Sequence, residues 1–211
     1  MWEFMQKGGP IMWPILFCSI VAVMIVIERI WYLRKIHVDV RKLLAEIARS
    51  VKRNRILDAI DLCEKTPGPV AAIIKEGLLK HDRPRLEIRE AVEDAAVHQV
   101  PLLERNVPLL ATIAHISPLL GLLGTVTGMV KAFQVIQEKS SAVSPINPGD
   151  LAGGIWEALL TTVFGLCVAI PVFVAYNYLT SRIDRFVLDM EKSATDLMNT
   201  LFEKRDLHEE V

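Results

Sequence analysis

The sequence predicts an all-α membrane protein with three transmembrane helices, N-terminus outside and C-terminus inside, carrying long cytoplasmic helical extensions. Three observations predict it. Apolar residues collect in three long stretches while charges fall in blocks between them; a basic run follows the first stretch; and no strand-like alternation persists anywhere. Bulk composition alone is ordinary, with 52% of the 211 residues hydrophobic, a mean hydropathy of +0.34 and a formal net charge of −1. The uneven distribution is what separates a membrane protein with a soluble portion from a globular enzyme.

The first stretch, Ile11–Ile27, is uncharged, and apolar character continues through Ile30, Trp31 and Leu33. At about 1.5 Å per residue it crosses the roughly 30 Å hydrocarbon layer. Trp2, Trp13, Trp31 and Tyr32 suit the membrane interface, and Pro10 and Pro14 sit near the start, where a missing backbone donor does least harm. Acidic Glu3, the length of the apolar run and the lack of an A-x-A-like site before the charges favour an uncleaved helix over a signal peptide. Residues 1–33 are therefore expected to be an N-terminal segment and first transmembrane helix.

Arg29, Arg34, Lys35, Arg41, Lys42, Arg49, Lys52, Arg53 and Arg55 follow, against only Glu28, Asp39 and Glu46. This excess also reads as a solvated helix face, and the positive-inside rule places it in the cytoplasm. Residues 34–105 are expected to form a cytoplasmic helical domain. Asp39 is placed to cap a helix with Val40, Leu43, Leu44, Ile47 and Val51 at helical spacing. A short helix around Arg55–Glu64 offers Ile56, Ile60 and Cys63, and Thr66-Pro67-Gly68-Pro69 ends it. Another carries Val70, Ile73, Ile74, Gly77 and Leu78; a longer one starts at Arg85 with Leu86, Val92, Ala95, Ala96, Val100 and Leu103 for packing.

The second span, 106–136, contains Pro118 and the glycines Gly121, Gly124 and Gly128, of which Gly124 and Gly128 form a small-xxx-small pair that admits another helix closely. Polar Gln134–Asp150, with Ser140, Ser141, Ser144, Pro145, Asn147, Pro148 and Gly149, reads as an outer connection, assigned as a periplasmic loop over 137–150, with Asp150 placed to cap the third span. The third span, 151–180, runs inward to Arg182 and Arg185. A C-terminal helix over 181–211 follows, with Ile183, Phe186, Val187, Met190, Ala194, Leu197, Met198 and Leu201 in helical phase.

The third span carries Glu157, and an acid in hydrocarbon costs roughly 2.5–3.5 kcal/mol on insertion scales. Such a group is paired, hydrated or used, although an interfacial carboxylate reaching water is the plainer alternative. Thr161 lies one turn on and shares its face, whereas Thr162 points about 140° away. A membrane threonine most often bonds its own i−4 carbonyl, a caution that extends to Thr125 and Thr127. His115 in the second span is either a proton relay or a neutral imidazole bonded between helices; the second is simpler, since no relay partner is legible.

Several classes fall away. The three cysteines, Cys18, Cys63 and Cys167, are too widely spaced for a disulfide framework or metal motif and read as inert core or lipid-facing residues. No nucleophile–base set, phosphate loop or metal signature marks an enzyme, and no cofactor or metal is expected. The basic residues lack interleaved aromatics, which argues against nucleic acid.

Two blocks go further. Leu110–Phe133, LATIAHISPLLGLLGTVTGMVKAF, and Gly153–Asn177, GGIWEALLTTVFGLCVAIPVFVAYN, together closely resemble the MotA/TolQ/ExbB proton-channel family, on its ExbB/TolQ side. The resemblance implies a homopentamer in the inner membrane of a Gram-negative envelope, its second and third helices lining a pentameric pore. It implies a single-span ExbD- or TolR-like partner in that pore, whose membrane aspartate exchanges protons, and delivery of the resulting motion to TonB- or TolA-like proteins in processes such as nutrient uptake. It places the family's polar residues on Thr125, Glu157 and Thr162, rather than Thr161, and its motif prolines on Pro118 and Pro171. Ser117 replaces a usual alanine, and His115 stands where a small residue is expected, as a local adaptation or a second titratable group. Two other readings stand beside this one: a multi-pass scaffold that moves no ions, and a flagellar-stator-like subunit, which generally has four spans where this chain shows three.

Overall fold

The computed structural model describes the backbone of residues 8–141 and 148–209. Trp2, Ser144, Pro145 and Asn147, all given roles above, lie outside the described residues, as do the side chains of Ser140, Ser141 and Asp150. The described elements are all helices: α1 (Met12–Lys35), α2 (Val40–Lys52), α3 (Ile56–Lys65), α4 (Pro69–Leu79), α5 (Arg85–Glu104), α6 (Val107–Ser141) and α7 (Pro148–Glu209). Among the described residues, helical stretches within Met12–Lys52, Arg85–Lys139 and Leu151–Glu203 are long and apolar enough to cross a membrane.

The chain divides into two compact units. The first comprises the chain up to Glu28 together with Asn106–Tyr178. In it α1 buries Met12, Ile15, Ala22 and Ile25, a stripe at helical spacing. Its other faces show Phe17, Ile20, Val23, Met24 and Ile27, apolar groups that only lipid or another apolar surface would suit. The turn into α6 is made by Asn106, whose φ of 63° is the left-handed conformation that asparagine tolerates better than most residues. Its amide donates to Glu28 Oε2 at 3.0 Å, fixing that turn against the end of α1's apolar run.

The second unit comprises Arg29–Arg105 and the chain from Leu179 onward. The sequence pattern separates residues 34–105 from the tail, whereas the structure packs them into one helical unit. The reason is visible in the stripes. Ile183, Phe186, Met190, Leu197, Met198 and Leu201 of α7 are buried, as are Leu43, Ile47 and Val51 of α2, Ile73, Ile74 and Leu78 of α4, and Ile88 and Val92 of α5. Each amphipathic face needs a cover, and the tail supplies one. Gly77 marks the tightest point: a Cβ there would lie 2.8 Å from both Leu197 Cδ2 and Val92 Cγ2. Asp39 does cap α2, accepting from the Lys42 amide at 3.3 Å. Gly68, at φ 121°, turns the chain into α4 with Pro69 opening the helix. Arg29 is 2% exposed; its Nη1 donates to Leu102 O at 3.2 Å and its guanidinium lies over Tyr32.

Four local expectations are corrected. Leu86 is exposed and Ile88 occupies the core position of α5, because two residues rotate a helical side chain by about 200°. In α3 it is Ala59 that is buried beside Cys63, with Ile56 and Ile60 only half-buried. The polar stretch from Gln134 is not loop throughout: α6 continues through Gln137, Glu138 and Lys139 to Ser141, all three being good helix formers. Nor does α7 begin after Asp150; it begins at Pro148, a residue suited to a first helical position, so Asp150 lies within the first turn.

Candidate functional site: a glycine-sealed helix pair closed by an ion pair

The polar groups of the first unit are organised by the seam between α6 and α7. A Cβ added at Gly128 would lie 2.5 Å from Gly154 O; one at Gly165 would lie 2.7 Å from Ser117 O; one at Gly121 would lie 3.0 Å from Thr161 O. At Gly124 an added Cβ would collide with Thr161 Oγ1. Residues later on α6 meet residues earlier on α7, so the helices run antiparallel. The seam is Ser117, Gly121, Gly124, Gly128 and Ala132 against Gly165, Thr161, Ala158 and Gly154, at spacings of three and four. Backbone meets backbone, which is how helices associate where no hydrophobic force separates lipid from leucine.

Pro118 is half-buried beside this seam and Pro171 is exposed on α7. Ser117 is fully buried and donates to Ile113 O at 2.8 Å. Its hydroxyl is thus satisfied within the helix, next to a proline that supplies no amide.

The threonines separate by position. Thr161 is fully buried, with Oγ1 donating to Ala158 O at 2.9 Å and to Glu157 O at 3.1 Å. Thr162 is half-buried; its Oγ1 is 3.3 Å from Ala158 O and also 3.3 Å from Gly121 O across the seam. Thr125 is half-buried too and bonds Leu122 O at 2.6 Å, and Thr127 bonds Gly124 O at 3.1 Å. Thr161 therefore fills the notch left by Gly124, while Thr125 and Thr162 keep surface to offer a neighbour.

Glu157 is not alone. Lys131 Nζ on α6 reaches it at 2.6 Å from Oε1 and 2.8 Å from Oε2. The carboxylate side chain is 12% exposed and the lysine 47%. The seam geometry places them: Lys131 follows Gly128 by three residues, and Glu157 follows Gly154 by three, which sets both on its flank. A third element closes over them. Gly9, at φ 70°, lies so near that a Cβ there would collide with Glu157 Oε1.

His115 stands apart from this pair. Its ring is exposed, its Nδ1 donates to Ala111 O at 2.7 Å, and it meets Phe173 of α7 edge-on with centroids 6.3 Å apart. The hydrogen bond stays within α6; only the ring contact crosses to the other helix.

Sequence reasoning missed Lys131, Gly154, Ala158 and Gly165. The last three carry a readable signal, a run of small residues on α7 at the same spacing as the α6 glycines. For Lys131 the signal was weaker: a cation ending an otherwise uncharged span, near the end at which the antiparallel third span carries its acid.

These features define a multi-span membrane protein in which one helix pair is packed through glycine and a largely enclosed carboxylate on it is paired. The family model described as the MotA/TolQ/ExbB proton channel family matches residues 65–192. Biopolymer transport protein ExbB-like 3 of Synechocystis sp. is 33% identical over 189 residues, covering 89% of this chain and 89% of that protein. The ExbB homolog of Methanothermobacter thermautotrophicus is 33% identical over 183 residues, 86% of this chain but only 63% of that longer protein. Among solved structures, MotAB of C. jejuni shares the fold with a TM-score of 0.66 at 18% identity, over 97% of this chain and 81% of the other. The chain belongs to the MotA/TolQ/ExbB proton channel family.

Proposed function

We propose that this chain is the channel-forming subunit of an ExbB/TolQ-type motor, a homopentamer in the inner membrane with its N-terminus outside and C-terminus in the cytoplasm. It works with a single-span ExbD- or TolR-like partner in the pore and couples the proton motive force to TonB- or TolA-dependent processes at the outer membrane, such as nutrient uptake. The segments divide accordingly: 1–33, 106–136 and 151–180 carry the spans, 137–150 lies in the periplasm, and 34–105 and 181–211 in the cytoplasm.

The observation that carries this reading is Glu157, an acid nine-tenths enclosed on a helix of membrane-spanning length and held against a glycine-sealed partner helix. Intramembrane acids of this kind mark ion pathways. Thr125 and Thr162 line the path with Glu157, and their partial exposure supports that role. Thr161 serves packing. His115 is a subsidiary group, and Gly121, Gly124, Gly128, Pro118 and Pro171 shape the helices. One proton crossing 100 mV releases about 2.3 kcal/mol, enough when repeated to bias a packed interface between states.

The test is proton flux in vesicles containing the chain with its single-span partner. Glu157→Ala, and Thr125→Ala with Thr162→Ala, abolish flux and energised uptake while the complex still assembles. Unchanged flux in both would leave the scaffold reading in its place.

A further inference from the structure

We infer that Lys131 is the positioning residue of Glu157: together with the Gly8–Gly9–Pro10 turn it fixes the carboxylate on the flank of the α6–α7 seam as one half of a closed ion pair. This rests on the reading of Glu157 as part of the proton path, and adds to it the group that sets where the carboxylate stands.

Four features carry the inference. One ammonium engages both carboxylate oxygens, at 2.6 and 2.8 Å, so the carboxylate has no oxygen left unheld. The exposures are unequal, 12% against 47%, so the acid is the enclosed member and the lysine the one reaching in from solvent or headgroup. An enclosed carboxylate without a counter-charge is strongly unfavourable, and the ammonium offsets that. Finally, Gly9 lies directly against Oε1 in a left-handed conformation, so any side chain there would both strain the turn and displace the acid. Three elements, α6, α7 and the turn before α1, thus converge on one functional group. Surface lysines that pair opportunistically lack the second and fourth features.

The inference is tested by carbodiimide modification of Glu157 in membranes holding the full chain, quantified by mass spectrometry. The reagent reacts with a carboxyl that is free to meet it, and loss of the ammonium releases both oxygens of Glu157 from the pair. Lys131→Met raises the labelling of Glu157 severalfold, because the carboxylate is no longer held at both oxygens. Lys131→Arg stays near the native level, because a guanidinium restores the pairing. Gly9→Ala raises labelling with Lys131 intact. The exchange of charges, Lys131→Glu with Glu157→Lys, keeps labelling low at position 131, and this arm decides the matter should Lys131→Met fail to accumulate. Labelling equal to native in Lys131→Met, or strong labelling at position 131 in the exchanged chain, overturns the inference. Proton flux in the same vesicles separates the two readings. Labelling that follows Lys131 with no flux in the native complex keeps the ion pair and defeats the proposed function; flux with labelling indifferent to Lys131 does the reverse.

Discussion

The two units are held together by opposite means. In the first, the α6–α7 seam is built from glycine, alanine, serine and threonine, and large apolar side chains such as Leu119, Phe133, Leu159 and Ile170 point away from it. In the second, the large side chains turn inward, with Ile47, Ile73, Ile74, Leu78, Ile88 and Met190 at 2% exposure or less. Its ion pairs, Lys65–Asp61 and Arg89–Glu93 among them, stay on the surface. The difference follows from the solvent. In water, burying apolar area is favourable in itself, so a core of isoleucine and leucine organises the helices. Beside lipid that force vanishes, and association depends on backbones approaching until dispersion and interhelical contacts accumulate.

The contrast is broken most severely at Gly128. Its added Cβ would meet Gly154 O at 2.5 Å and Ala158 Cβ at 2.9 Å, and neither backbone nor a methyl can step aside. Gly128→Leu is expected to prevent accumulation of a folded chain, seen as loss of a monodisperse peak on size exclusion in detergent. A single added methyl at Gly77 is expected to do far less. There the neighbours are the far ends of Leu197 and Val92, so Gly77→Ala destabilises the second unit by about 1–3 kcal/mol, the range for overpacking. Between these lies Ile74→Ala. Deleting a fully buried isoleucine side chain costs about 2–5 kcal/mol. Hydrogen exchange followed by mass spectrometry should accelerate across α4 and α5 in that variant more than across α6. Equal acceleration in α6 would contradict the placing of Ile74 in the core of the second unit.

The same contrast explains what was legible in the sequence. Span count and the helical phase of α2 and the tail came directly from where charge and apolar residues fall, because burial in water enforces periodicity. Membrane helices are apolar on every side, so their packing faces carry no such contrast. The α6 glycines were readable as small residues, but their partners Gly154, Ala158 and Gly165 became evident only with the register. Thr161 and Thr162 show the same limit: geometry places Thr161 on the face of Glu157, and the seam, invisible in the sequence, is what buries it. The Lys131–Glu157 pair depends on a contact 26 residues apart, set by a seam register that no local pattern encodes. The end of α6 was misread for the opposite reason, since polar residues that suit a loop are equally good helix formers.

The smallest expected effect sharpens the comparison from the second unit's side. Burial pushes the Cys63 thiol up to about 11 from an ordinary value of 9.0, with the Lys75 ammonium pulling weakly the other way. The unfolded chain therefore releases this proton first as pH rises, the folded state binds more protons between pH 9 and 11, and stability falls across that window. Below pH 9 the contribution is complete. Lys75, held protonated by its 2.8 Å bond to Glu64, loses stability in the same direction at alkaline pH, so the absolute slope mixes the two groups. Cys63→Ala isolates the thiol: its urea-unfolding midpoint should depend less steeply on pH between 9 and 11 than that of the native chain. Alkylation gives the independent reading, because the thiolate is the nucleophile. In the folded chain Cys63 should react with iodoacetamide at pH 8.5 far more slowly than in urea. Equal rates would mean that the α3 face carrying Ala59 and Cys63 is open to solvent, and that the second unit is not closed by the apolar core described here.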